Sequence, residues 1–249
     1  MPEAAQTFET ELEVLRTEAE SAAQFLYAYR AIHEVAARHT EVVTLLNTAP
    51  LFWNTTLGAL QISAFIALGR VFDDDNGSHG VARLLRLAIA SPQIFTRDAL
   101  AARRQGNSPT KPEWLDGFIS KTYEPLPSDF DYLQQKISEN KAVYEAKYKP
   151  IRNKIYAHKD IKGNAKVREL FAETNIVEWQ TLTLFLQSLH NALWQLLHNG
   201  IKPVLCEHPH AIADMINNPI PPDRQLPPHE KIAHQAAEFL LTAAKKGKP

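Results

Sequence analysis

Residues 148–160 read YKPIRNKIYAHKD and concentrate side chains able to do chemistry on a phosphate. His158 carries an imidazole that titrates near neutrality, so it can take a proton and give one back. Arg152, six residues earlier, offers a planar, permanently charged fork that suits phosphate oxygens. Asn153 can orient either partner by hydrogen bonding. Lys149 and Lys154 are candidate contacts to a phosphate backbone, and Tyr156 is a ring that could stack on a base.

The surroundings are basic. Between residues 136 and 168 there are ten Lys and Arg against three acidic residues, a net +7 with His158 neutral, in a chain whose net charge is −1. A local patch of this kind is what polyanion binding needs, while the chain as a whole has no field to attract one. A solvated, Lys-rich helix face gives the same count. Tyr144, Tyr148 and Tyr156 share spacings of four and eight. That stripe serves base stacking, or core packing with satisfied hydroxyls. Lys154 lies four residues before His158, on its face, as a phosphate contact or a solvated Lys.

Geometry constrains the central pair. Six residues along a regular helix rise about 9 Å and end roughly a third of a turn out of line. Arg152 and His158 therefore converge only through the long Arg side chain, through a distortion near Pro150, or across two subunits. The alternative places Arg152 in a salt bridge and His158 at a helix end, where the dipole favours its charge.

The elements that would hold these residues read as helices. Residues 8–38 carry apolar side chains at steps of three, four and seven. From Glu41 to Arg70 the chain runs 28 residues without a charge. Length alone would let this stretch span a bilayer. Asn54, Thr55, Thr56, Gly58 and Gln61 interrupt it, so we expect a helix over 49–73 buried in a protein core, with Pro50 in its first turn, and no membrane span. Shorter helices are expected over 79–90 and 92–104, the second opening at Ser91-Pro92. A loop is expected over 106–112. A long helix is expected from about 129 to 160, capped by Ser128 or Asp129 and kinked or broken at Pro150. Asn175 and Glu178 have cap spacing for an apolar helix to 199, which Gly200 closes.

Beyond 200 the chain holds eight of its sixteen prolines. An extended segment with a short helix over 229–245 follows from that composition. The domain expectation is a helical bundle over 1–200 and a proline-rich extension over 201–249. The fold class is all-α, with neither repeats nor strand alternation in view.

Other side chains offer weaker chemistry. Asp73, Asp74 and Asp75 suggest a divalent cation or, more simply, an acidic turn ending a helix. His198, Glu207, His208 and His210 suggest a metal or an exposed tail. Cys206 is the only cysteine, which excludes an intrachain disulfide and a Cys-based zinc site and suits a reducing, cytoplasmic compartment. The acidic, polar N-terminus is not that of a secretory signal. No Gly-rich phosphate loop, HExxH helix or GxSxG elbow is present.

Arg152, Asn153 and His158 resemble the signature of the HEPN superfamily, an Arg, usually a polar residue next, then a His four to six residues on. Here it reads R-N-K-I-Y-A-H, followed by a break and another long apolar helix. The helix ending ALGRVFDDD (67–75) looks like the second helix of HEPN proteins of the abortive-infection type. The resemblance covers about residues 8–200. It implies an HEPN-like helical bundle and a metal-independent endoribonuclease that needs no cofactor, with Arg152, His158 and Asn153 catalytic. It also implies an RNA substrate, a homodimer with two motifs face to face, and an antitoxin or other regulatory partner. In one branch a Tyr stands two residues after the His. Asp160 stands there in this chain, which departs from that branch. Some members of the superfamily only bind or dimerise, so a non-catalytic RNA-binding or protein-interaction scaffold is the alternative.

Overall fold

The computed structural model describes residues 3–73, 79–153, 174–206, 215–216 and 223–246. Regular structure among the described residues is helical throughout. The longer elements are α1 (Glu3–Arg38), α2 (Thr40–Thr48), α3 (Pro50–Phe72), α4 (Val81–Ala90), α5 (Arg97–Gln105), α6 (Trp114–Ile119), α7 (Pro127–Val143), α8 (Ile176–Asn199) and α9 (Pro228–Lys246). In α1 the periodicity is borne out. Phe8, Leu12, Leu15, Ala19, Ala22 and Leu26 step by three and four, and all are buried.

The chain divides into two compact units. One comprises Met1–Glu18, Gly69–Pro150 and Leu184–Glu207. Its core is aromatic: Phe8 meets Phe95 edge-on at 5.2 Å, and Phe95 lies 5.7 Å from Phe130. Burying each such ring contributes about 1.5–3 kcal/mol before ordering costs. Leu84, Leu85 and Ala88 of α4 and Phe130, Leu133 and Ile137 of α7 are buried, and the two helices pack on each other. Arg103 ties this unit together by donating to the carbonyls of Ile94 and Leu197, each at 2.7 Å.

The other unit comprises Ala19–Leu68, Ile151–Thr183 and His208–Pro249. Trp179 stands 4.8 Å from Phe65 and 5.8 Å from Tyr29, ring centre to ring centre. Ile32, Val35 and Val42 form a cluster with Ala237, Leu240 and Ala244, so α9 packs on α2.

Four expectations change in detail. α3 keeps Pro50 in its first turn as expected and begins at it, one residue later than 49, but only its second half is buried. Ala64, Phe65, Leu68, Val71 and Phe72 are core, whereas Leu51 is 81% and Phe52 61% exposed. Among the described residues it is the one helix long and apolar enough to cross a membrane. Pro92 opens a 3₁₀ turn, Pro92–Phe95, and α5 starts only after Thr96, whose Oγ1 accepts from the Ala99 N–H at 3.3 Å. α7 starts at Pro127 rather than 129. Asp129 reaches back and accepts from the Leu126 N–H at 2.8 Å and the Tyr123 hydroxyl at 2.6 Å. α2 and α6 fall in stretches the periodicity left unassigned. The end of α8 is as expected. Asn175 Oδ1 accepts from the Val177 N–H at 2.8 Å, and Gly200 turns the chain with φ +58°.

Candidate functional site

α7 does not reach the basic motif as a plain α-helix. It widens into a π-helical turn, Tyr144–Tyr148, continues through Lys149–Ile151, and widens again at Arg152 and Asn153. Pro150 explains the widening. Its ring crowds the carbonyl four residues back and it donates no hydrogen bond, both of which a wider turn relieves. The expected kink or break at Pro150 is thus a change of winding, with the helix continuing to the last described residue of this segment.

Winding decides which side chains face inward. Tyr144 and Tyr148 are both fully buried, and Tyr144 stacks on Phe72 at 5.2 Å and 21°. These two rings are core, so for this pair the core-packing reading of the stripe holds and the base-stacking one does not. Tyr156, Lys154 and His158 lie outside the described residues.

Arg152 and Asn153 are both partly buried, and the Arg152 Nε donates to the Asn153 Oδ1 at 3.1 Å. The amide oxygen of Asn153 is therefore turned onto the guanidinium, which steadies the fork. Lys149, which belongs to the unit described first, places its Nζ 3.3 Å from Glu145 Oε1, and Lys141 stands 3.9 Å from that oxygen. Lys136 stands 3.3 Å from Glu139. These are helix-face pairs one turn apart, each weak in water, and a polyanion would have to compete with them.

The remaining candidates separate. No group of three or more His, Cys, Asp or Glu that could hold a metal occurs among the described residues. Asp73 follows the end of α3, and Asp74 and Asp75 lie outside the described residues. His198 stands 3.4 Å from Glu9 and tilts against Trp194, while Glu207, His208 and His210 lie outside the described residues. Cys206 is exposed.

One buried ionic group was not singled out from the sequence. Glu11, only 5% exposed, accepts from the Arg83 Nε at 2.7 Å and faces the His79 Nδ1 at 2.8 Å. An ionised carboxylate there keeps the proton on Nδ1. The signal was faint: an acid at position 11 stands on the apolar face of α1 between Phe8 and Leu12. Nearby in the same unit, His190 is pushed down to about 4, first by burial and then by the Arg16 charge.

The described helices, ending in the rewound segment that carries Arg152 and Asn153, are those of an HEPN protein of the abortive-infection type, as the family match shows. Within that class the chain belongs to the AbiU2 family, whose model matches residues 5–216. No curated protein and no solved structure matches the chain.

Proposed function

We propose that this chain is a metal-independent endoribonuclease of a phage-defence or toxin–antitoxin system. The 2′-hydroxyl of the RNA attacks its own phosphate, His158 handles the proton transfer, and Arg152 steadies the charge on the phosphate oxygens. The 5′-oxygen leaves protonated, so the fragments carry a 2′,3′-cyclic phosphate and a 5′-hydroxyl. Asn153 positions Arg152, and Lys149, Lys154 and Tyr156 contact the substrate. The working form is a cytoplasmic homodimer with two motifs face to face, held in check by an antitoxin or other regulatory protein and needing neither cofactor nor membrane.

The observation that carries this reading is the Arg152–Asn153 hydrogen bond, within a family match that includes the whole R-N-K-I-Y-A-H motif. The test is incubation of purified wild type and His158→Ala with total RNA in EDTA. Fragments from wild type alone support the reading. Equal cleavage by the variant removes His158 from the mechanism.

A non-catalytic scaffold of the same fold is the second reading. It is favoured by the burial of Tyr144 and Tyr148 and by the paired lysines of the basic face. RNA or protein binding without fragments, by wild type and variant alike, would select it.

A further inference from the structure

We infer that the groove between α1, α2 and α9 binds a small amphipathic zwitterion, of which a tripeptide with both ends free is the simplest kind. This role is separate from RNA cleavage. The groove lies within one unit and follows from the residues that pack there. α9 meets the other two helices through Ala237, Leu240 and Ala244, against Ile32, Val35 and Val42. α1 stops at Arg38, and His39 turns the chain into α2 with extended backbone, φ −130° and ψ 102°. Beside that turn a cavity of about 380 Å³ opens, within the range of small-ligand sites.

Its floor is carbon, from Val35, Ala237, Leu241 and Ile216. The α1 wall carries Arg38 and Glu34, which satisfy each other at 2.7 Å. The α9 wall carries Glu238 and Lys245, both exposed, and neither makes an ion pair among the described residues. His39 and His234 also face the groove and bring no permanent charge.

Charge selects the ligand. One unpaired anion and one unpaired cation remain, so a polyanion is repelled at Glu238 and a polycation at Lys245. A neutral apolar molecule covers the floor and leaves both charges to water. A ligand with one charge of each sign gains two charge-assisted hydrogen bonds as well as the floor. Spacing sets its length. Glu238 and Lys245 stand two turns apart on one face of α9, about 10 Å along its axis. A free amino acid, with both charges on one carbon, is too short to reach the two. Three residues of extended chain reach about 10 Å. The ammonium then meets Glu238, the carboxylate meets Lys245, and an apolar middle side chain lies on Leu241. Thr242, between the two charges, offers its hydroxyl to the peptide backbone.

Calorimetric titration of the full chain with alanyl-leucyl-alanine is the test. Three forms are compared: both ends free, the N-terminus acetylated, and the C-terminus amidated. The free peptide should bind with a Kd of about 1 mM or below, and either block should weaken it about tenfold. Glu238→Gln should bind the free and acetylated peptides alike, and Lys245→Gln the free and amidated ones alike. Both side chains are exposed, and circular dichroism checks that helicity is unchanged. The blocked peptides read the same two contacts on wild type without any substitution. No binding of the free peptide at about 10 mM would overturn the site. Equal binding of free and blocked peptides would overturn the zwitterion and show an apolar groove. Discrimination that survives both Gln variants would put the peptide elsewhere and overturn the assignment.

Discussion

Arg152 and His158 fail differently when replaced. His158→Ala should lower cleavage by about 10²–10⁴, the span for a general acid or base. Arg152→Lys keeps the charge but loses the planar fork and its bond to Asn153, so we expect a loss of about 10² in kcat. Single-turnover cleavage of a defined RNA reads both. A pH effect belongs to His190. It stays neutral in the fold down to about 4, whereas an unfolded chain protonates it near 6.5. Stability is therefore lost as pH falls from about 6.5 towards about 4, because the unfolded chain binds the extra proton. His33, His198 and His229 are lowered first by burial too, and act in the same direction. Thermal melts between pH 7 and 4.5 should show Tm falling, less steeply in His190→Gln. At this scale the sequence disclosed residue types better than their surroundings. Arg152 and Asn153 were legible because the motif, its basic setting and the helical pattern around it coincide; Arg and His six apart are common by themselves. Tyr144 and Tyr148 leaned towards the core, the commoner place for a Tyr pair four apart, and burial bears that out. Glu11 was missed because its partners, His79 and Arg83, stand far along the chain.

Helices follow local rules, and their ends carry the sharpest expectations. Gly200 combines a φ of +58° with a close neighbour: an added Cβ would come within 2.6 Å of the Thr122 Cβ. Gly200→Ala should therefore cost about 1–3 kcal/mol, read as a lower denaturation midpoint at constant slope. Asn175→Ala removes the N-cap of α8 and should cost about 1 kcal/mol in the same measurement. α1 and α8 were legible because each repeats its apolar spacing over many turns, and α3 because its stretch runs long without a charge. α2 has only nine residues and α6 only six, too few for a period to stand out. The exposed half of α3 escaped for a different reason. An uncharged run reads alike whether a neighbour covers it or nothing described does, and only packing distinguishes the cases.

For the whole molecule the all-α class was legible from only nine glycines in 249 residues, long apolar periods and the absence of alternation. The division into two units was not, because α1, α3 and α8 each contribute to both. Contacts that sort one continuous helix into two cores leave no mark on its local sequence. A chain of net charge −1 that binds RNA must do so through a confined patch. RNA affinity should then fall log-linearly with salt. Lys149→Ala should flatten that slope by about 0.7 if this Lys leaves Glu145 for a phosphate, and leave it unchanged if the pair persists. Filter binding across a salt series distinguishes the outcomes.

The rewound turn at Tyr144–Tyr148 also has a meaning in chain length. A π-type turn holds more residues than the α-turn it replaces. A relative with one residue fewer between Val143 and Lys149 would wind as an ordinary helix there, and its later side chains would keep their places around the axis, because an α-turn spans the same arc with fewer residues. Two rings brought to a spacing of three would still share one face of that helix, so both could stay inside. Chain length can thus change by one residue at this turn while the register beyond Pro150 is kept.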